Sequence, residues 1–197
     1  MTPLSIASIK TPPLWSLSTV SIRSLGVVLK VDELLSQIES HPGVWNRHKT
    51  RLYGAHSKVS DIWCRYNAWD NFKDRETFNG PHESVWYPAS DEIPAVKSLC
   101  ADVMGFVDGI ELGGVLITMI PADSGVDPHI DGGWHAQYYE KFAVQLKSTP
   151  EQAFCFKDSH LSAVPGELYT FDNSKLHWVV NPSKEDRMTL IICIRRH

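Results

Sequence analysis

His129-Ile130-Asp131, followed 46 positions after Asp131 by His177 and ten further on by Arg187, defines the chemistry open to this chain. Two histidines and one carboxylate suit Fe(II): they bind the metal on one face and leave its other positions open. In an extended segment, residues two apart point the same way, so His129 and Asp131 can face one metal together. The third donor must then come from a distant strand that folds back alongside. An arginine beyond that histidine can grip a carboxylate of a bound co-substrate through paired N–H donors. Taken alone, a His-x-Asp between Pro128 and Gly132-Gly133 fits a turn closed by aspartate equally well. The order of the distal histidine and arginine favours the metal.

The elements that must position these groups follow from hydrophobic period. Val31, Leu34, Leu35 and Ile38 recur at helical spacing over 31–40, and His41-Pro42-Gly43 ends the run. A second helix is expected over 93–107, with Asp91 as cap, Pro94 in the first turn, and Val96, Leu99, Val103 and Val107 as its apolar stripe. After Gly109 the pattern changes to short strands at 114–121, 141–147, 153–157, 167–171, 177–180 and 188–194, and 62–66 adds one to the amino-terminal half. Helices followed by closely spaced strands predict a mainly β fold with supporting helices: a double-stranded β-helix, the cupin-like jelly roll. Residues 1–197 read as one domain, with 1–110 as helical and strand support and 111–197 as the jelly-roll core.

Composition narrows the partners. A chain of 197 residues, 43% hydrophobic, can bury one sizeable core. Its net charge of -4 disfavours a nucleic-acid or anionic membrane surface. No long apolar run predicts a membrane span, and 1–14 reads as an edge strand or loop rather than a signal peptide. The four cysteines form no CxxC pair, which fits a reducing, cytoplasmic setting.

Residues 111–195 resemble the catalytic core of Fe(II)/2-oxoglutarate-dependent dioxygenases, in particular the aspartyl/asparaginyl β-hydroxylase-like branch. The resemblance is carried by Gly113 to Pro121, Pro128 to Asp131, Gly166 to Asn173, His177, and Asn181 to Leu190. It implies Fe(II), 2-oxoglutarate and O2 as cofactors, with His129, Asp131 and His177 as iron ligands. Arg187 would hold the distal carboxylate of 2-oxoglutarate, Thr118 would supply a hydroxyl to the same carboxylate, and Gln145 would serve the other end of the co-substrate. The hydroxylases that name the branch often replace the carboxylate ligand with a small residue, whereas Asp131 is present here. That departure aligns the chain with full-triad members, some of which hydroxylate free amino acids, and weakens transfer of the aspartyl or asparaginyl substrate.

Substrate contacts are less constrained. Trp134, His135, Tyr138 and Tyr139, opened by a glycine pair, either line a pocket as a lid or cover the barrel rim. Trp178 flanks the site or packs. Arg65, charged within the apolar run 62–66, meets a substrate carboxylate or phosphate, or a structural partner such as Asp61 or Asp70. The expected substrate is a small molecule or a protein side chain. Two rivals stand: a cupin-type metal enzyme that uses no 2-oxoglutarate, and a barrel that binds without turnover. The first has no use for Arg187 and Thr118, and the second has no reason to keep three ligands.

Overall fold

The structure, a computed structural model, describes residues 20–197, so the reading of 1–14 lies outside the described residues. In chain order the elements are β1 (Ile22–Val28), α1 (Asp32–Ser40), β2 (Ser60–Asn67), α2 (Arg75–Phe78), β3 (Ser84–Trp86), α3 (Ala89–Glu92), α4 (Ala95–Phe106), β4 (Gly109–Ile120), β5 (Ser124–His129), α5 (Gly133–Tyr138), β6 (Glu140–Lys147), β7 (Ala153–Phe156), β8 (His160–Leu161), β9 (Glu167–Phe171), β10 (His177–Asn181) and β11 (Arg187–Arg196). They form a seven-stranded sheet, β1-β9-β6-β11-β4-β2-β3, facing a four-stranded sheet, β5-β10-β7-β8. Every pairing is antiparallel, as a jelly roll requires.

Strand alternation gives the large sheet two different faces. On β11, Met188, Leu190, Ile192 and Ile194 pack with Phe142, Val144 and Leu146 of β6, Val115 and Ile117 of β4, and the apolar stripes of α1 and α4. Arg187, Thr189, Ile191 and Cys193 point the other way, between the two sheets, where they line a cavity. There a second cluster, including Ile120, Val126, Phe154, Tyr169, Phe171 and Val179, ties the sheets together. Burying each of the larger aliphatic side chains contributes about 1.5–3 kcal/mol, so the helix-backed face is the rigid support for the polar residues opposite.

The α4 stripe is buried as expected, with Val96, Leu99, Val103 and Val107 all at 5% exposure or less. Its start is different. Asp91 lies in α3 and pairs with Lys97, and Pro94 occupies the cap position without a side-chain bond. The Ala95 N–H is instead met by Gln37 Oε1 from α1 at 2.9 Å, so a neighbouring helix does the capping. The amino-terminal half is also more than support, because β1, β2 and β3 are integral strands of the large sheet.

Candidate active site

β5 and β10 pair so that His177 stands opposite His129 in register. Their ring centroids are 4.3 Å apart, and one donor atom each from His129, Asp131 and His177 lie within 4.8 Å of one another. Each imidazole is oriented from behind. His129 Nδ1 meets the Asp127 carbonyl at 2.9 Å and His177 Nδ1 meets the Lys175 carbonyl at 2.8 Å. A carbonyl only accepts, so Nδ1 carries the proton in both rings and Nε2 keeps its lone pair for a metal. Asp131, just past β5, is fixed by its own N–H donating to the Asn173 carbonyl at 3.1 Å.

The charges around this triad suit metal binding. Burial pushes the Asp131 carboxyl up, but Lys141, His177, His129 and Arg51 outweigh it and hold the group below the usual carboxylate range. Burial lowers the His177 pKa, with Asp131 opposing, and so favours the neutral ring that ligation needs. Lys141 is 14% exposed; burial lowers its pKa, but Cys193 at 3.2 Å and Asp131 at 3.9 Å outweigh it and raise it. His56 sets its ring edge-on to His129 at 4.5 Å, and its pKa falls to about 2, first through burial and then through Arg51.

The triad opens onto a cavity of about 980 Å³ between the sheets. A polar row crosses the large sheet there: Asp61, Thr118, Thr189 and Gln145 occupy matching register positions on β2, β4, β11 and β6. Thr118 Oγ1 donates to Asp61 at 2.8 Å, and Thr189 Oγ1 donates to Gln145 Oε1 at 3.3 Å. Arg187 sits beside the row at 3% exposure, giving Nη1 to Thr189 Oγ1 at 2.7 Å and Nη2 to the Tyr169 hydroxyl at 3.3 Å. Among the described residues no carboxylate lies within ion-pair distance of it. A buried cation held only by neutral hydroxyls is costly unless an anion completes it, and Arg187 lines the cavity.

The other expected residues divide. Trp134, His135, Arg65 and Thr118 line the cavity. Gln145 does not: it spends Nε2 on the Lys147 and Met188 carbonyls and supports Thr189 from behind. Tyr138 and Tyr139 lie outside the cavity, with their hydroxyls on Glu111 at 3.1 and 2.7 Å. Trp178 alternates with His177 and faces a separate shallow depression on the outer side. The segment 132–140 forms the short helix α5, started by Gly133 at φ +83° and anchored where His135 Nε2 accepts the Gly114 N–H at 3.1 Å. Arg65 is partnered by neither Asp61 nor Asp70; its Nε donates to the Leu112 carbonyl and its guanidinium lies 5.4 Å over the Trp86 ring. Arg51, His56 and Lys141 escape sequence reading. Only Lys141 carries a signal, being an ionisable residue in step with Ala143 and Gln145 on the inward face of β6.

A jelly roll with a His-x-Asp…His triad at one end of its cavity defines the oxygenase-type double-stranded β-helix. The aspartyl/asparaginyl β-hydroxylase model matches residues 31–197, and the chain belongs to that family of hydroxylases. A 2OG-Fe(II) oxygenase family oxidoreductase from Burkholderia pseudomallei shares the fold at TM-score 0.61 and 14% identity, over 92% of this chain and 87% of that one. A prolyl hydroxylase from Trichoplax adhaerens, solved with a hypoxia inducible factor peptide, does so at TM-score 0.58 and 14% identity, covering 91% and 86%. The viral collagen prolyl hydroxylase of Paramecium Bursaria Chlorella virus-1 follows at TM-score 0.53 and 11% identity, covering 91% and 98%. No curated protein matches the sequence.

Proposed function

We propose that the chain hydroxylates an unactivated C–H bond of an amino acid or protein side chain, using Fe(II), 2-oxoglutarate and O2. His129, Asp131 and His177 would hold the iron, and Arg187 would hold the distal carboxylate of 2-oxoglutarate. The observation that carries this reading is Arg187 itself, a buried guanidinium with only hydroxyl partners among the described residues, lining the cavity that the triad lines. Iron held there would activate O2, which would oxidise 2-oxoglutarate to succinate and CO2 and the substrate C–H bond to an alcohol, one oxygen atom going to each. The remaining work belongs to the protein. Nδ1 protons bound to backbone carbonyls aim the imidazoles, Lys141 keeps Asp131 ionised, and the aromatic walls from Tyr169, Phe171 and Phe154 exclude water. Thr118 supports the co-substrate end through the polar row, and Gln145 acts at one remove through Thr189. A cupin-type enzyme without 2-oxoglutarate has no use for Arg187. We place residues 111–197 as the catalytic core, with strand and cavity-wall contributions from 20–110, in a reducing, cytoplasmic setting that suits four free cysteines. Among the described residues no helix is long and apolar enough to cross a membrane.

Arg187→Gln tests this reading. Losing a charge-assisted pair removes about 1.5–3 kcal/mol, so 2-oxoglutarate affinity is expected to fall about 10–100-fold while Fe(II) affinity holds. Unchanged 2-oxoglutarate affinity would refute the assignment.

A further inference from the structure

The polar row ends at an arginine for which the co-substrate reading has no role. We propose that Arg51 selects the substrate, binding a carboxylate that the substrate carries, in a subsite separate from Arg187. The proposal rests on the reading above, in which Arg187 is taken by 2-oxoglutarate.

Arg51 is a built feature and not a loose surface cation. Its Nη1 lies 3.0 and 3.1 Å from the two Asp61 carboxylate oxygens and 3.0 Å from Thr118 Oγ1. Asp61 is 0% exposed and Thr118 4%, so one nitrogen of the guanidinium is held by buried groups. Among the described residues no acceptor lies within hydrogen-bond distance of its Nε or Nη2, and 23% of the side chain is open. Arg51 lines the same cavity as the triad. It therefore presents to that cavity a free edge that matches a carboxylate.

The rest of that wall has the same sign. Arg75 lines the cavity with Arg51 and has no carboxylate within ion-pair distance among the described residues, and Glu76 is the acid next to it, whereas Arg65 turns its guanidinium over the Trp86 ring that Lys97 also faces. Arg75 is steadied by the Tyr53 ring, 3.3 Å from its guanidinium carbon to the centroid, and Trp63 presents a buried indole N–H without an acceptor. The charged side chains that line the cavity include Arg51, Arg75, Lys141 and Arg187 against Glu76 and Asp131, a positive excess in a chain of net charge -4. It raises the local concentration of anions and suits a negatively charged substrate. Thr118 and Thr189 are cross-strand partners, so Arg51 on one and Arg187 on the other form two neighbouring, distinct anion sites.

The test is calorimetric and anaerobic, so no turnover contributes. Each common L-amino acid, as free acid and as carboxamide, is titrated into protein saturated with Fe(II) and 2-oxoglutarate, and in parallel into metal-free protein. N-acetyl-L-aspartate amide against N-acetyl-L-asparagine amide reads a side-chain carboxylate in place of an α-carboxylate. At least one acid is expected to bind about tenfold or more tightly than its neutral partner. In Arg51→Gln that preference disappears, while 2-oxoglutarate affinity stays within about twofold; Arg51→Lys, which keeps the charge toward Asp61, is expected to retain part of it. Equal binding of acids and neutral partners, no binding by any acid, or a loss of 2-oxoglutarate affinity in Arg51→Gln overturns the proposal. Failure of 2-oxoglutarate to bind the wild-type protein overturns the underlying reading instead, and the metal-free titrations still report on Arg51.

Discussion

Asp131 has two roles that a single substitution separates. It is one of three candidate ligands, and it is the charge that faces Lys141 at 3.9 Å. Asp131→Ala is expected to weaken Fe(II) binding about tenfold or more in a calorimetric titration and to lower stability by about 1–3 kcal/mol in urea unfolding, because Lys141 loses the partner of its charge. Adding Lys141→Met should restore most of the stability and none of the metal binding; recovery of Fe(II) affinity would contradict the assignment. At this scale the sequence was most readable where spacing carries meaning. His129 and Asp131 alternate on one face, and His177 and Arg187 follow in order. Gln145, inward-facing on β6, spends its amide on the Lys147 and Met188 carbonyls, a use of the side chain that spacing does not reveal. Arg51 and His56 lie in a turn-rich stretch without period, so nothing local marks them as lining a cavity with candidate ligands 73 or more residues later in the chain.

The pairing of β5 with β10 brings the two histidines together, and one glycine sets how closely those strands approach. A Cβ on Gly125 would stand 2.5 Å from the Val179 carbonyl oxygen, a backbone atom that cannot turn aside. Gly125→Ala is therefore expected to push the strands apart, costing about 1–3 kcal/mol and weakening Fe(II) affinity without touching a ligand. Gly105→Ala in α4 meets nothing within 4 Å and should be neutral or stabilising by up to about 1 kcal/mol. Thermal unfolding with Fe(II) titration of both variants checks the contrast; equal behaviour would remove the argument. The long elements were legible because α4 and the central strands carry strong periods. β5 was not, since Ser124-Gly-Val-Asp-Pro-His129 reads as turn residues and becomes a strand only through its partner. Gly132-Gly133 opens α5, for which the sequence leaves a lid and a rim cover equally open, because the His135–Gly114 bond that anchors the helix is a tertiary contact.

For the molecule as a whole, buried imidazoles set the acid limit. The His135 pKa is driven from 6.5 to about 2, first by burial and then by Lys141 and His82. Between those values the unfolded chain binds a proton that the folded one refuses, so stability rises with pH across the window. The contribution is complete above about pH 6.5 and is lost as pH falls, at up to about 1.4 kcal/mol per pH unit for this one ring. Urea unfolding of metal-free protein from pH 7.5 to 5 should show that decline, and His135→Gln, which keeps an acceptor for the Gly114 N–H, should flatten it. The fold class was legible at this scale because helices precede closely spaced strands, whereas the entry of β1, β2 and β3 into the large sheet depends on pairings far apart in the chain. The account as a whole stands on Fe(II) and 2-oxoglutarate meeting at one site. Anaerobic titration of the folded protein with both is expected to give a visible metal-to-ligand charge-transfer band that saturates at one iron and one 2-oxoglutarate per chain. A folded protein that binds Fe(II) yet shows no such band would contradict it.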